Sequence, residues 1–320
     1  MNYELVARHL LVELRGARSQ VQWSRRLGYR SNVAYPWETG RRSPTAAEAL
    51  RAAGKAGVDV QDAVRRFYGH VDPVWLDEVA VDTPEGVARL LDDLRGKASV
   101  SKVARTAGCS RTAVSRWLSG SAQPKLPDFL RVLDAVSLRM VDFVATLVDP
   151  AQLPSLRRVW KQLETRRKGA VEHPWTPAIL RGLELDAYLA LPAHRPGWLA
   201  RELGLPREEE DRCMAYLEAS GQIRWNGTHY VAPPLTVDTR GASDIGRRHR
   251  QHWSRVAADR IGDQEPGQYS YNVFCVSKED YERIRTLHLQ YFRTLRSIAA
   301  ESGPSEVVAV ANVQLFPLAG

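Results

Sequence analysis

Arg111, Thr112, Ser115 and Arg116 lie in the stretch GCSRTAVSRWLSG, from Gly108 to Gly120. Their spacing puts the four on one side of a short helix, with Ala113, Val114 and Trp117 on the other. The chemistry open to that side is hydrogen bonding to planar acceptors. Each guanidinium can give two parallel bonds to the edge of a guanine, and Thr112 or Ser115 can reach another base edge or a thymine methyl. A solvated helix face uses the same residue types, so the surrounding elements must decide. Ser110 is placed to cap the helix, Gly108 suits the end of the helix before it, and Gly120 ends the stretch. Lys102, with Ser101, opens that earlier helix and is placed for phosphate.

The same frame occurs earlier in the chain as GYRSNVAYPWETG, Gly28 to Gly40, at an offset of 80 without gaps. Leu10, Leu11, Leu14, Arg15 and Gly16 correspond to Leu90, Leu91, Leu94, Arg95 and Gly96. Gly28, Trp37, Gly40 and Pro44 correspond to Gly108, Trp117, Gly120 and Pro124, and Leu50 and Arg51 to Leu130 and Arg131. Because the punctuating Gly, Trp and Pro residues all align, residues 1–70 and 82–149 read as two copies of one unit of four or five helices.

Both copies resemble the helix-turn-helix domains of the Cro and phage-repressor type. The residues that carry the resemblance are SQVQWSRRLGYRSNVAYPWETGRRSP, Ser19 to Pro44, and SVSKVARTAGCSRTAVSRWLSGSAQP, Ser99 to Pro124. The first has the family's Ser-Gln start, with Gln20 as a contact candidate, and its W-E-x-G-R-R-x-P exit. The resemblance implies that the second helix of each pair enters the major groove of DNA. The expected readers in the second copy are Ser110, Arg111, Thr112, Ser115 and Arg116, with Lys102 on phosphate. In the first copy Ser31, Asn32 and Tyr35 face outward, and Arg30, Arg41 and Arg42 suit phosphate. That copy departs from the pattern at Pro36, which replaces the second copy's Arg116 and is expected to shorten or bend the helix. Its alternative job is to hold the second copy or a dimer mate in register.

Charge supports a polyanion partner for the amino-terminal half. Residues 1–170 carry 28 Lys+Arg against 18 Asp+Glu, a net of +10, whereas residues 171–320 carry 17 against 19, a net of −2. Residues 150–175 form a basic linker, expected to be a solvated helix or one lying along phosphates. Residues 176–235 read helix, turn, helix and hairpin, with the turn at Asn226-Gly227, the order of a winged helix. Glu208, Glu209, Glu210 and Asp211 open its would-be reading helix and would repel phosphate, so this segment is expected to pack, dimerise or bind a protein partner.

Residues 236–320 read as a small α/β unit for dimerisation or sensing. Residues 269–277 and 306–318 are its strands, and a helix starts at Ser277 with Ile284, Leu287, Tyr291 and Leu295 against the sheet. The carboxyl-terminal half resembles an uncharacterised bacterial family of proposed transcriptional regulators. It does so through the winged-helix segment, the Val276 to Asp280 turn and the closing LFPL of Leu315 to Leu318. The expected fold class is therefore mainly α, with two tandem five-helix units, a winged-helix-like segment and a strand-helix-strand unit.

No phosphate-cradling loop, HExxH or nucleophile elbow occurs, so neither catalysis nor a cofactor is expected. His249 and His252 fall three apart on what reads as a basic surface helix rather than a metal site. Three widely separated cysteines fit reduced thiols in a cytoplasm, and no run approaches a membrane span. The function expected is that of a sequence-specific, homodimeric regulator of transcription binding double-stranded DNA. The alternative is a protein-interaction module whose helix-turn-helix copies bind a partner regulator.

Overall fold

The computed structural model describes residues 1–69, 73–232 and 243–318, and the chain divides into two compact units, Met1–Leu163 and Glu164–Gly320. In the first unit α1 (Tyr3–Arg15), α2 (Gln20–Arg26), α3 (Ala34–Glu38), α4 (Ala46–Ala56) and α5 (Val60–Tyr68) form the first copy. A short α6 (Trp75–Glu78) precedes the second copy: α7 (Pro84–Arg95), α8 (Val100–Ala107), α9 (Arg111–Leu118), α10 (Leu126–Ser137) and α11 (Met140–Leu147). After a 3-10 turn, Pro150–Gln152, the expected basic linker is helical as α12 (Arg157–Glu172).

The repeat in sequence is a repeat in hydrogen bonding. Ser19 caps α2 by accepting from Gln22 N, and Ser99 caps α8 by accepting from Lys102 N, 80 residues on. Past α3 and α9 the loops close alike, Arg42 N donating to Pro36 O and Ala122 N to Arg116 O. Gly28 and Gly108 both take positive φ, +89° and +63°, where a side chain would be strained.

The two copies share one hydrophobic core rather than filling two. Leu10, Leu50, Leu90 and Leu130 all belong to it and are buried. Helix α1 packs on α10, α4 on α7, and α5 on α11, each pairing an element of one copy with an element of the other. Phe143 of α11 stands edge-to-face on Phe67 of α5 and on Phe129 of α10, with ring centroids 5.5 Å apart in both pairs. Such pairs add about 0.5–1.5 kcal/mol beyond the area they bury.

The second unit contains α13 (Thr176–Gly182), α14 (Asp186–Leu189), α15 (Trp198–Leu203) and α16 (Arg207–Ala219). An antiparallel hairpin follows, β1 (Arg224–Trp225) and β2 (Tyr230–Val231). Ile179, Tyr188, Leu199, Cys213 and Leu217 are the fully buried centre of this helix-and-hairpin segment. Glu210 lies in that interior, 1% exposed, and accepts from Gly197 N and Ala200 N at the start of α15. One of the four acids expected to face a partner is thus an internal helix cap. Glu208 and Asp211 remain exposed, and Glu209 pairs with Arg212.

Beyond the winged segment come α17 (Ser243–Gly262) and α18 (Lys278–Glu301), the latter capped by Ser277, whose hydroxyl accepts from Asp280 N. The expected strand-helix-strand unit differs here. Residues 269–277 and 306–318 contain no strand, and β1–β2 is the only sheet among the described residues. Their alternating side chains supply strand propensity, but a strand also needs a hydrogen-bonded neighbour, and Tyr271, Val307 and Phe316 remain exposed. Leu287 and Tyr291 of α18, expected against a sheet, are exposed too. Among the described residues no helix is long and apolar enough to cross a membrane, and the three cysteines are free.

Candidate nucleic-acid interface

In the second copy the structure puts the expected readers together on α9. Ser110 caps this helix by accepting from Ala113 N, which fixes the direction of its first turn. Val114 is buried and Trp117 packs against the core, which orients the opposite side outward. Arg111, Thr112, Ser115 and Arg116 are all exposed on that outward side. Neither arginine forms an ion pair among the described residues, so both guanidinium forks are open to a ligand. Lys102 is half-buried at the first turn of α8, its backbone N–H held by Ser99 and its ammonium without an ion pair among the described residues.

The first copy presents a different surface from the same frame. Helix α3 spans five residues against eight in α9, because it starts at Ala34 rather than at the equivalent of Arg111. The late start accommodates Pro36, which becomes the third residue of the helix. There the N–H that proline lacks has no partner within the helix in any case. Asn32 takes over the capping: its Oδ1 accepts from Tyr35 N at 3.2 Å and from the Ser24 hydroxyl at 3.2 Å. The Asn32 side chain, expected to face outward, therefore has its acceptor committed inside the fold, although the residue is exposed.

Ser31, Arg30 and Tyr35 are exposed, and the Arg41 guanidinium lies over the Tyr35 ring, 5.2 Å from its centre. Arg42 is exposed as well. Gln20 is tied to Glu38, its amide nitrogen donating at 2.7 Å, and Arg15 donates to the other carboxylate oxygen at 2.6 Å. One of Gln20's two N–H groups is consequently used to brace α2 against α3.

Sequence reasoning missed Lys125. It is exposed at the start of α10 and pairs with Thr45 in an isolated antiparallel bridge. Ala46 N donates to Pro124 O at 3.0 Å and Leu126 N to Pro44 O at 2.9 Å. The signal was the offset itself, since Thr45 and Lys125 are equivalent positions.

The second unit holds a separate cavity of about 310 Å³, lined among others by Pro174, Arg248, His249, His252 and Arg255. His249 is buried rather than on a surface helix, and among the described residues its Nε2, like that of His252, has no hydrogen-bond partner. Burial lowers the pKa of both imidazoles, reinforced for His249 by the neighbouring His252. Two arginines and two imidazoles make this lining suited to an anion. Among the described residues no group of three or more His, Cys, Asp or Glu side chains converges as a metal site would require.

Residues 155–318 match the family model described as a domain of unknown function, DUF4423, which covers half of the chain. The chain belongs to that family. No curated protein matches it, and neither does any solved structure.

Proposed function

We propose that this DUF4423-family chain is a DNA-binding regulator of transcription that reads double-stranded DNA by sequence through α9, with α3 as a second, weaker reader. The observation that carries the proposal is the outward side of α9, two unpaired guanidiniums and two hydroxyls on a helix whose other side is locked into the core. A helix of this width fits the major groove, where bidentate arginine contacts to guanine discriminate by about 1–3 kcal/mol each. The exposed Arg30, Arg41, Arg42 and Lys125 supply the phosphate contacts that hold register without reading sequence.

The winged-helix-like segment is read differently. Exposed Glu208 and Asp211 at the start of α16 oppose phosphate, so this segment serves a protein partner or a second copy of the chain.

The test is selection of tight binders from a pool of random-sequence duplexes by the full chain, followed by affinity measurements on the enriched sequence. Replacing Arg111 and Arg116 with Ala is expected to weaken the enriched duplex more than a scrambled one. An equal loss on both would reduce the two arginines to phosphate contacts, and no enrichment at low salt would remove the reading.

A further inference from the structure

The two copies are arranged about a local two-fold, and the arrangement is visible residue by residue. Thr45 pairs with Lys125, its own equivalent at the offset of 80. The two hydrogen bonds flanking the bridge exchange roles under the same offset, Ala46 N to Pro124 O and Leu126 N to Pro44 O. Helix α1 meets α10 while its equivalent α7 meets α4, and α5 meets its own equivalent α11. A pairing in which residue i of one half contacts j of the other, and j contacts i, is the signature of an isologous dimer interface, here within one chain.

The interface suits two unlike halves. The second copy has Phe129 and Phe143 at positions where the first has Ala49 and Ala63, all four of them buried. Two second copies pairing through this surface would bring phenylalanine into both halves of a space that holds it in one, and overpacking of that kind is destabilising. Further bonds tie unlike partners across it: Tyr3 donates to Asp134 at 2.7 Å, Arg131 to Glu4 at 2.7 Å and Tyr68 to Asp93 at 2.8 Å.

The local axis also has a place relative to the readers. The chain leaves α3 at Glu38 and α9 at Leu118, and both exits run by matched loops to the Thr45–Lys125 bridge. Arg41 and Arg42 lie on one of those loops, and Lys125 is at the bridge itself, all exposed.

We infer that a single chain is the complete DNA-reading unit: its two helix-turn-helix copies form an internal pseudo-dimer that reads one asymmetric site of two unlike half-sites. The half-sites lie about one helical turn apart on one face of the duplex, as for paired helix-turn-helix units in general. Arg41, Arg42 and Lys125 contact the backbone between them. This rests on the DNA-reading proposal above and adds stoichiometry, asymmetry and a central contact to it. Because α9 offers two arginines and α3 offers Tyr35 and Ser31, the two half-sites differ in sequence.

The experiment uses the full chain and duplexes enriched from a random-sequence pool, with the number of chains per duplex measured by sedimentation of the complex. Expected are two non-identical blocks per duplex and one equivalent of reading chain, meaning one α9 and one α3 footprint. The R111A/R116A variant should lose roughly tenfold or more through one block while remaining sensitive to the other, and S31A/Y35A should show the converse. These residues are exposed, so an unchanged circular dichroism spectrum separates lost reading from lost folding. A palindrome occupied by two α9 footprints, or a single block, would overturn the pseudo-dimer and leave DNA reading intact. Failure to enrich any sequence would overturn both.

Discussion

The two copies share their leucine and tryptophan landmarks and differ at two buried positions, Ala49 and Ala63 against Phe129 and Phe143, and on the side that faces out. Leu10, Leu50 and Trp37 recur as Leu90, Leu130 and Trp117, and the Ser19 and Ser99 caps and the closing loops recur with the same hydrogen bonds. Outside, Arg111 and Arg116 on an eight-residue helix face one way, while the matching helix of five residues offers Tyr35 beside a proline. Packing constrains most of the interior, so a repeat drifts chiefly at exposed positions, where substitutions alter stability little. Under the proposed function those positions carry recognition, and a duplicated frame with two unlike faces suits an asymmetric site.

The comparison can be broken most severely at the shared interior. Phe143→Ala removes a ring that is 1% exposed and contacts Phe67 of the other copy, and should cost about 3–5 kcal/mol. Urea unfolding of the full chain should show residues of both copies losing protection together; loss confined to the second copy would mean two independent cores.

A smaller effect separates the faces. R111A/R116A should lower affinity for an enriched duplex about ten- to a hundredfold, and S31A/Y35A less, since α3 has no arginine on its outward side. Fluorescence anisotropy on one duplex would rank them, and a larger loss from the first-copy variant would invert the assignment of strong and weak reader.

Next are the caps. Ser110→Ala and Asn32→Ala each remove a side-chain acceptor from a reading helix and should cost about 1 kcal/mol. Asn32→Ala should also reduce stability without any duplex present, because its Oδ1 bonds inward; if it changed only DNA affinity, Asn32 would be a reader after all.

The smallest expected effect concerns pH. Burial, with the charge of Arg8 second, lowers the pKa of His9 from its ordinary 6.5, and its Nδ1 accepts from Ser155 N at 3.2 Å, which needs the neutral ring. The unfolded chain then binds that proton more readily, so this contribution is complete above about pH 6.5 and is lost as pH falls through the lower folded value. His9→Gln should flatten that part of the decline in a denaturation series relative to the unaltered chain. The second copy has Arg89 there, which stays charged throughout.

Much of this was legible in the sequence wherever the signal is local. Helical periods, the caps at Ser110 and Ser277 and the Asn226-Gly227 hairpin depend on residues a few positions apart, and all are in place. The offset of 80 announced two copies but not their union, because the contacts of α5 with α11 join residues far apart in the chain. Pro36 announced a short helix, yet the compensating cap at Asn32 depends on the position of Ser24. Glu210 read as surface charge because nothing in its own helix reveals that the start of α15 lies against it. The strands expected at 269–277 and 306–318 failed for a related reason, since alternation specifies a face and not a neighbour.

The most direct measurement is the affinity of the full chain for its enriched duplex and for a scrambled one across a salt series. The account predicts a steep fall, by about 0.9 in the logarithm per phosphate contact, on both duplexes. It also predicts a preference of about a thousandfold or more for the enriched sequence at physiological salt. A steep slope with no preference would contradict sequence reading by α9 and leave a basic surface alone. No binding even at low salt would contradict the account as a whole.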